Sequence, residues 1–369
     1  MKRGFALSLC LAAATFAPVT MAGWTHADPG QVEESKQKPK LWVGSDAPAL
    51  AVSQWVKGEP VEGFKPGHVY VVEFWATWCG PCIAGMPHLS ELQERYKGKV
   101  TIIGVNIWDD PKNVAPFMEK TGNERMRYTV AIEKKIEGQP VNRTGEMDQA
   151  WMKAAEQRGI PSAFVVDGKG KIAFVGHPMW LDVPLEGVLA GTWDPEAGMK
   201  KVARGEEMLG AVYSSSSPQE RLAAFDAFEA EFPGVAHQSM FRPMQFGLLV
   251  ECDKLDRAWA LGNELVDEGM KTNDTQLLNS VAWTIVDPDK NLKERNLPLA
   301  LKAAKAAAAI TEENDAAILD TLARVYWWMG EKSKAVEIQR KAVEKADARM
   351  KGQIEAVLKE YEEAMKTDG

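Results

Sequence analysis

The chain has 369 residues, of which 45% are hydrophobic and 26% are charged, and its formal net charge is -8. This length exceeds the usual size of one compact domain and predicts two, while the composition is that of a soluble globular protein. The acidic balance argues against nucleic acid and anionic lipid as partners.

Residues 1–27 have the features of a secretory signal peptide. Lys2 and Arg3 precede an apolar stretch from Phe5 to Pro18, and small residues suited to cleavage follow. The stretch is short for a membrane span, so a cleaved signal is predicted, with an uncleaved N-terminal anchor as the alternative. Export predicts an oxidising space, which we expect to be a bacterial periplasm. Residues 28–40 are polar and predict a flexible linker.

Residues 41–193 alternate short strands with helices. The predicted strands cover residues 69–74, 100–106, 128–132, 162–166 and 172–175, and the predicted helices cover 79–96, 114–121 and 148–157. The last two strands are joined by Asp167-Gly168-Lys169-Gly170, which is a strong hairpin signal. This alternation, closing on a hairpin, predicts an α/β layer fold.

A Cys79-Gly80-Pro81-Cys82 motif directly follows the first of these strands. If a helix begins here, free backbone N–H groups and the helix dipole favour a thiolate at Cys79. Cys79 is therefore the predicted nucleophile, and Cys82, one turn further in, resolves the mixed disulfide. Pro81 suits the first helical turn, and Gly80 leaves room for a partner chain. In an oxidising space the pair is oxidised unless something reduces it.

Other readings of the cysteines are weaker. A structural zinc site needs four ligands, and the sequence has neither a second Cys pair nor a His pair at ligand spacing, so we predict no metal and no other cofactor. Cys10 lies in the leader, and for Cys252 a buried, inert thiol is expected, with an intermolecular disulfide as the alternative. Trp78 is expected at the surface beside Cys79, in contact with partners.

Two segments carry a family resemblance: VEFWATWCGPC at 72–82 and GIPS at 159–162. Over roughly residues 41–190 the chain resembles the thioredoxin superfamily, in particular its TlpA-like thiol-disulfide oxidoreductase branch. The resemblance implies a central mixed sheet flanked by helices and a cis Pro161 that faces the cysteines. The Ile160 backbone would then pair with a bound substrate peptide. A plain trans turn is the alternative at Pro161.

Glu73 is a carboxylate in an apolar strand, where a charged group is unexpected. The resemblance implies that it lies beneath the cysteines and takes the proton from Cys82, with a pKa raised by burial. A solvated acid at the end of the strand is the alternative. Relatives in the TlpA-like branch often have another acid shortly after the second cysteine, where this chain has Gly85.

Residues 194–369 predict an all-α domain of helical hairpins that partly repeat. The segment 278–282 matches 319–323, and the second copy resembles a tetratricopeptide unit in its small and apolar positions, which are Leu322, Ala323, Tyr326, Gly330, Ala335 and Ala342. Stacked hairpins of this kind usually present a concave face to a protein or peptide, so a protein partner on these helical repeats is one interpretation. A helical domain that only packs on the redox domain is the other.

Together these features predict a periplasmic enzyme that reduces disulfides in client proteins and is reset by an upstream membrane thiol reductant. Gly80-Pro81 is the dipeptide of reducing thioredoxins and favours this direction. An oxidase or isomerase uses the same chemistry in the other direction. An adaptor, whose redox site regulates docking of a partner on the helical repeats, is a further alternative, and a peroxidase is disfavoured by the setting of the cysteines.

Overall fold

The computed structural model describes residues 39–367, apart from Val141 and Arg143. The predicted signal peptide and most of the predicted linker lie outside the described residues. None of the helices in the described part has the length and hydropathy that a membrane crossing requires. The chain divides into two compact units, the first made of residues up to 83, 98–124 and 128–177, and the second of residues 84–97, 125–127 and 178 onward. The predicted domain boundary after residue 193 stays a prediction.

The first unit is built on a mixed sheet of six strands. These are β1 (Val52–Lys57), β2 (Val69–Trp75), β3 (Val100–Asn106), β4 (Thr129–Glu133), β5 (Ser162–Val166) and β6 (Ile172–Gly176). Their order across the sheet is β1-β4-β3-β2-β5-β6. Strands β2, β3 and β4 are parallel, whereas β1, β5 and β6 are antiparallel to their neighbours. This is the mixed sheet implied by the thioredoxin resemblance, and the predicted α/β fold is confirmed.

The central strand β2 is buried along its whole length, which explains its nearly continuous apolar sequence. Its last residues determine what meets at one end of the sheet. Phe74 pairs with Ser162 at the start of β5, Trp75 pairs with Asn106 at the end of β3, and Asn106 pairs with Ile132 of β4. The chain that leaves β2, β3 and β4 and the chain that enters β5 therefore come together at this end.

Several short helices complete the first unit or continue from it. They are α1 (Gly80–Arg95), a 3-10 turn (Pro111–Asn113), α2 (Val114–Phe117), a π-helical segment (Met118–Gly122), α3 (Asn123–Arg125) and a second π-helical segment (Asp148–Lys153). One core of the unit contains an aromatic group in which Phe164 contacts Phe74 and Trp151 edge-to-face, with ring centroids 5.7 and 5.3 Å apart. These contacts hold the second π-helical segment against β2 and β5.

The second unit is helical, and the predicted all-α class is confirmed. After a 3-10 turn (Pro178–Trp180) it contains α4 (Asp182–Ala190), α5 (Pro195–Ser214), α6 (Pro218–Glu231), α7 (Pro233–Ala236), α8 (Arg242–Glu251), α9 (Leu255–Thr272), α10 (Thr275–Val286), α11 (Leu297–Ile310), α12 (Ala316–Trp328), α13 (Lys332–Lys345) and α14 (Lys351–Thr367). Gly330, with a φ of 80°, makes the tight turn between α12 and α13. Leu322, Ala323 and Ala335 are buried in the core of this unit. The tetratricopeptide character of the hairpins stays a prediction.

Residues 84–97 of α1 belong to the second unit through contacts with the start of α4. The Asp182 carboxylate lies 2.9 Å from His88 Nε2 and 2.7 Å from Arg95 Nη1. Gln238 reaches the same turn and donates a hydrogen bond of 2.7 Å to the Met179 carbonyl. The second half of α1 is thus connected to the chain that begins after His177.

Candidate active site

Cys79 and Cys82 form a disulfide at the start of α1, with an S–S distance of 2.04 Å. Both residues are buried. The helix begins at Gly80, and the first helical turn carries no acidic side chain that would oppose a negative charge at its N-terminus. The amide N–H of Cys82 donates to Cys79 Sγ at 3.2 Å. After reduction this geometry favours the thiolate at Cys79.

The segment before β5 lies against the same sulfur. The Ile160–Pro161 peptide bond is cis, and the Ile160 carbonyl oxygen is 3.7 Å from Cys79 Sγ. Ser162 Oγ donates a hydrogen bond of 2.8 Å to the Gly159 carbonyl, which tightens this turn. The pairing of β2 with β5 therefore brings Ile160 and Pro161 to the cysteines, as the resemblance implied.

Three exposed residues surround Cys79. Trp78 is 61% exposed, and its indole Nε1–H donates to the Trp108 carbonyl at 3.2 Å. Gly80 and Pro81 are also exposed, and a Cβ at Gly80 would meet no atom within 4 Å. The surface beside the nucleophile is thus open to a polypeptide.

Glu73 is buried on β2, with only 2% of its surface exposed, so it is not a solvated acid. It pairs across the sheet with Gly104 and Ala163, and its Oε2 has no hydrogen-bond partner among the described residues. Burial raises the pKa of Glu73 to about 8. At neutral pH this carboxyl group is therefore mainly protonated and can exchange a proton near the pKa of an ordinary thiol.

Tyr128 is a buried polar neighbour that the sequence did not reveal. Its hydroxyl has no hydrogen-bond partner in the described part of the chain, and its pKa is raised by burial and then by the charge of Glu73. Trp75 Nε1 and Asn106 Oδ1 are buried and unpartnered in the same unit. Trp75 shares a face of the sheet with Glu73, because side chains two positions apart on a strand point the same way. The inner side of the site is thus more polar than the apolar strands predict.

Asp109 fixes the loop that leads from β2 to Cys79. Its Oδ2 accepts from the Thr77 backbone N–H at 2.8 Å and from the Thr77 hydroxyl at 2.7 Å, and its Oδ1 accepts from Asn113 Nδ2 at 2.9 Å. Burial opposes ionisation, but these hydrogen bonds prevail and hold the pKa of Asp109 below its usual value. The sequence analysis missed Asp109, although its position just after β3, parallel to β2, would have been a usable signal.

Among the residues that the structure describes, no group of three or more His, Cys, Asp or Glu side chains converges in a way that could hold a metal ion. Cys252 lies in the second unit as a half-buried free thiol, and burial raises its pKa. The redox chemistry available to the described chain is that of the Cys79–Cys82 pair.

A dithiol at a helix start, next to a cis-proline turn on a mixed sheet, defines a thioredoxin-like thiol-disulfide oxidoreductase. The family model Redoxin matches residues 42–178. Protein FixW of Rhizobium leguminosarum is 31% identical over 158 residues, which are 42% of this chain and 68% of FixW. The thiol:disulfide interchange protein HelX of Rhodobacter capsulatus is 31% identical over 184 residues, which are 48% of this chain and 94% of HelX. The chain belongs to the TlpA-like thiol-disulfide oxidoreductases of the thioredoxin superfamily.

A solved structure with a similar fold is that of a thiol-disulfide isomerase from Corynebacterium glutamicum. It is 26% identical, and the alignment covers 39% of this chain and 96% of that chain with a TM-score of 0.32. The family assignment rests on the sequence relatives and not on this alignment. All these matches cover less than half of the chain, and the helical second unit lies largely outside them.

Proposed function

We propose that this protein reduces disulfides in client proteins in the bacterial periplasm. The observation that carries the proposal is the position of Cys79. Its sulfur lies at the N-terminus of α1 and 3.7 Å from the Ile160 carbonyl, beside the exposed ring of Trp78. A client polypeptide that passes Ile160 would present its disulfide directly to the sulfur that the helix activates.

Reduction proceeds in two exchange steps. The Cys79 thiolate attacks one sulfur of the client disulfide, so that the client S–S bond breaks, a mixed disulfide forms and the other client sulfur leaves as a thiolate that takes up a proton. Cys82 then loses its proton and attacks Cys79 Sγ. The Cys79–Cys82 disulfide forms, the client is released with two reduced sulfurs, and two electrons have passed to it.

Glu73 is the proposed acceptor of the Cys82 proton. A carboxylate with a pKa of about 8 is closely matched to a thiol, so the proton can move without a large energetic penalty in either direction. The unpartnered Oε2 has no competing hydrogen bond within the described residues. This role explains why a carboxyl group is kept in a strand that is otherwise apolar.

The direction and the location rest on further features. The Gly80-Pro81 dipeptide supports reduction, and the signal-like residues 1–27 support export. In an oxidising compartment the disulfide must be reduced again after each cycle, which requires an upstream thiol reductant in the membrane. Oxidase or isomerase activity is the alternative, and it differs only in the relative stability of the two redox states.

The reduction potential of the Cys79–Cys82 pair tests the direction. Equilibration of the mature protein with dithiothreitol or glutathione buffers should give a value near that of thioredoxin, about -270 mV. A value near -120 mV would instead indicate a disulfide donor. Cys79→Ser should abolish insulin reduction, and retention of activity in this variant would exclude the proposed chemistry.

The helical unit supports a second proposal, that a protein partner binds the hairpins formed by α8 to α13. Stacked helical hairpins commonly bind proteins, and Trp328 at the end of α12 is 44% exposed. If the redox site only regulates this docking, the wild-type chain will not reduce insulin, and the affinity for the partner will change with the oxidation state of Cys79. Efficient insulin reduction would exclude this adaptor function as the main activity.

A further inference from the structure

Trp108 has an unusual backbone conformation next to the active site. It follows β3, and its φ is 55°, in the left-handed region that is unfavourable for residues with a Cβ. It is half-buried against the core of the first unit. Conformations of this kind persist only where surrounding contacts impose them, and they are concentrated at functional sites.

Two hydrogen bonds impose this conformation. The Trp108 carbonyl accepts from the indole N–H of Trp78 at 3.2 Å, and the Trp108 indole N–H donates to Asp148 Oδ1 at 2.8 Å. Trp78 is mostly exposed, whereas Asp148 is fully buried. Trp108 therefore connects a surface ring beside Cys79 to a carboxylate in the interior.

The buried end of this connection is firmly held. The Asp148 backbone N–H donates to Glu133 Oε2 at 3.1 Å, and Lys153 Nζ lies 2.9 Å from Asp148 Oδ2. Glu133 is fully buried and lies 3.1 Å from Lys135 Nζ. A Cβ at Gly145 would overlap the Glu133 carboxylate, so the chain is shaped around this acid. Both carboxylates have charged partners, as buried charges require.

We propose that Trp108 is a positioning residue that determines specificity for protein clients, because it fixes the Trp78 ring beside Cys79 through its carbonyl while Asp148 holds its own indole. The proposal rests on the proposed function. The occupant of this surface is an extended client segment that carries an apolar side chain next to its disulfide. That side chain contacts the Trp78 ring while the client backbone passes Ile160. A small disulfide reaches Cys79 without touching this surface.

The test compares a protein disulfide with a small one. Trp108→Phe keeps an aromatic ring but loses the N–H that Asp148 accepts. We expect it to raise the KM for insulin about three- to tenfold, which is the effect of losing a hydrogen bond of ordinary net strength, with kcat within about twofold. The rate with oxidised glutathione should stay within about twofold of wild type. An unchanged insulin KM, or equal losses with both disulfides, would overturn the proposal.

Trp55→Phe is the matched control, because Trp55 is another tryptophan half-buried against the same core. It should leave both activities within about twofold, and a loss like that of Trp108→Phe would mean that packing alone explains the effect. Trp78→Phe lies at an exposed site and tests the same link if Trp108→Phe does not fold. It should raise the insulin KM by a similar factor, and an unchanged KM would contradict the proposal.

The double variant tests whether the two tryptophans act through each other. If they do, Trp78→Phe combined with Trp108→Phe should be no worse than the more affected single variant, since each breaks the same connection. Multiplicative losses would show independent roles and overturn the proposal. Cys79→Ser separates this outcome from the proposed function: if it abolishes insulin reduction by an active wild type, the function stands whatever the tryptophan variants do.

Discussion

Glu73 is the residue whose environment differs most from that of an ordinary carboxylate. Its pKa is about 8 in the folded protein, against a usual value of 4.5. Between these pH values the folded state holds one proton more than the unfolded state at this site. The free energy of unfolding therefore falls as the pH rises from about 4.5 to about 8, and this loss is absent below the lower value.

We predict that Glu73→Gln removes most of this pH dependence. Between pH 5 and pH 8 the oxidised wild-type protein should lose about 2–4 kcal/mol at this site, and the variant less than about 1 kcal/mol, because the amide does not ionise. Hydrogen exchange of the β2 amides at both pH values measures this within the first unit. Glu119→Gln, at an exposed position, is the control. Parallel pH profiles for wild type and Glu73→Gln would show that burial of Glu73 does not set the dependence.

The residues found from the sequence are those with a local signal. Cys79 and Cys82 have the motif, Pro161 has its place before a strand, and Glu73 has a charge among apolar neighbours. Trp108 and Asp148 have no such signal, because their roles depend on a hydrogen bond between distant loops and on a φ value that the residue type does not predict. A buried acid can be recognised only once its partners are known.

At the scale of elements, Asp109 connects the ends of β2 and β3. We predict that Asp109→Ala destabilises the loop before Cys79 by about 3 kcal/mol at neutral pH, since it removes a charged acceptor of several hydrogen bonds. Because the pKa of Asp109 is lowered, its contribution is present above about pH 4 and is lost as the pH falls through the lowered value. Hydrogen exchange at the Thr77 amide reports the effect directly.

Asp110 provides the neighbouring control. It caps the 3-10 turn with a single hydrogen bond of 3.1 Å from the Lys112 backbone N–H. Asp110→Ala should therefore cost less than about 1 kcal/mol and leave exchange at Thr77 unchanged. If the two variants had equal effects at Thr77, Asp109 would have no special role in this loop.

The elements predicted from the sequence were mostly correct, and the exceptions have physical causes. The predicted strands correspond to β2, β3, β4, β5 and β6, but β1 was missed. It is an edge strand with exposed positions and irregular register against β4, so its sequence has no apolar alternation. The predicted helices at 114–121 and 148–157 contain π-helical segments and are interrupted or shortened. Hydrophobic spacing does not distinguish a π-helical turn from an α-helix.

At the scale of the whole molecule, the chain has one unit for the redox chemistry and a second with its own core. The second core is made of residues from α6 and α8 to α14 and includes none of the residues of the dithiol site. Each unit therefore buries enough apolar side chains to have its own unfolding transition. Only the first unit has relatives among the thiol-disulfide oxidoreductases reported above, which is why composition and repeats were the only signals for the second.

Two glycines in the second unit provide a matched pair of substitutions with opposite expected signs. A Cβ at Gly262 on α9 would lie 2.8 Å from Phe246 and 2.9 Å from Leu299, whereas a Cβ at Gly247 on α8 would meet nothing within 4 Å. Overpacking should make Gly262→Ala destabilising by about 1–2 kcal/mol, even though alanine favours the helix. Gly247→Ala should stabilise the same unit by about 0.5–1 kcal/mol.

Scanning calorimetry measures both effects on the transition of the second unit. A shift of about 2–4 °C per kcal/mol is expected, downward for Gly262→Ala and upward for Gly247→Ala. Because the dithiol site lies in the first unit, the equilibrium of the Cys79–Cys82 pair with glutathione should stay within about twofold of wild type in both variants. A change in that equilibrium that follows the stability of the second unit would mean that the two units are energetically coupled, and the helical unit would then regulate the redox chemistry.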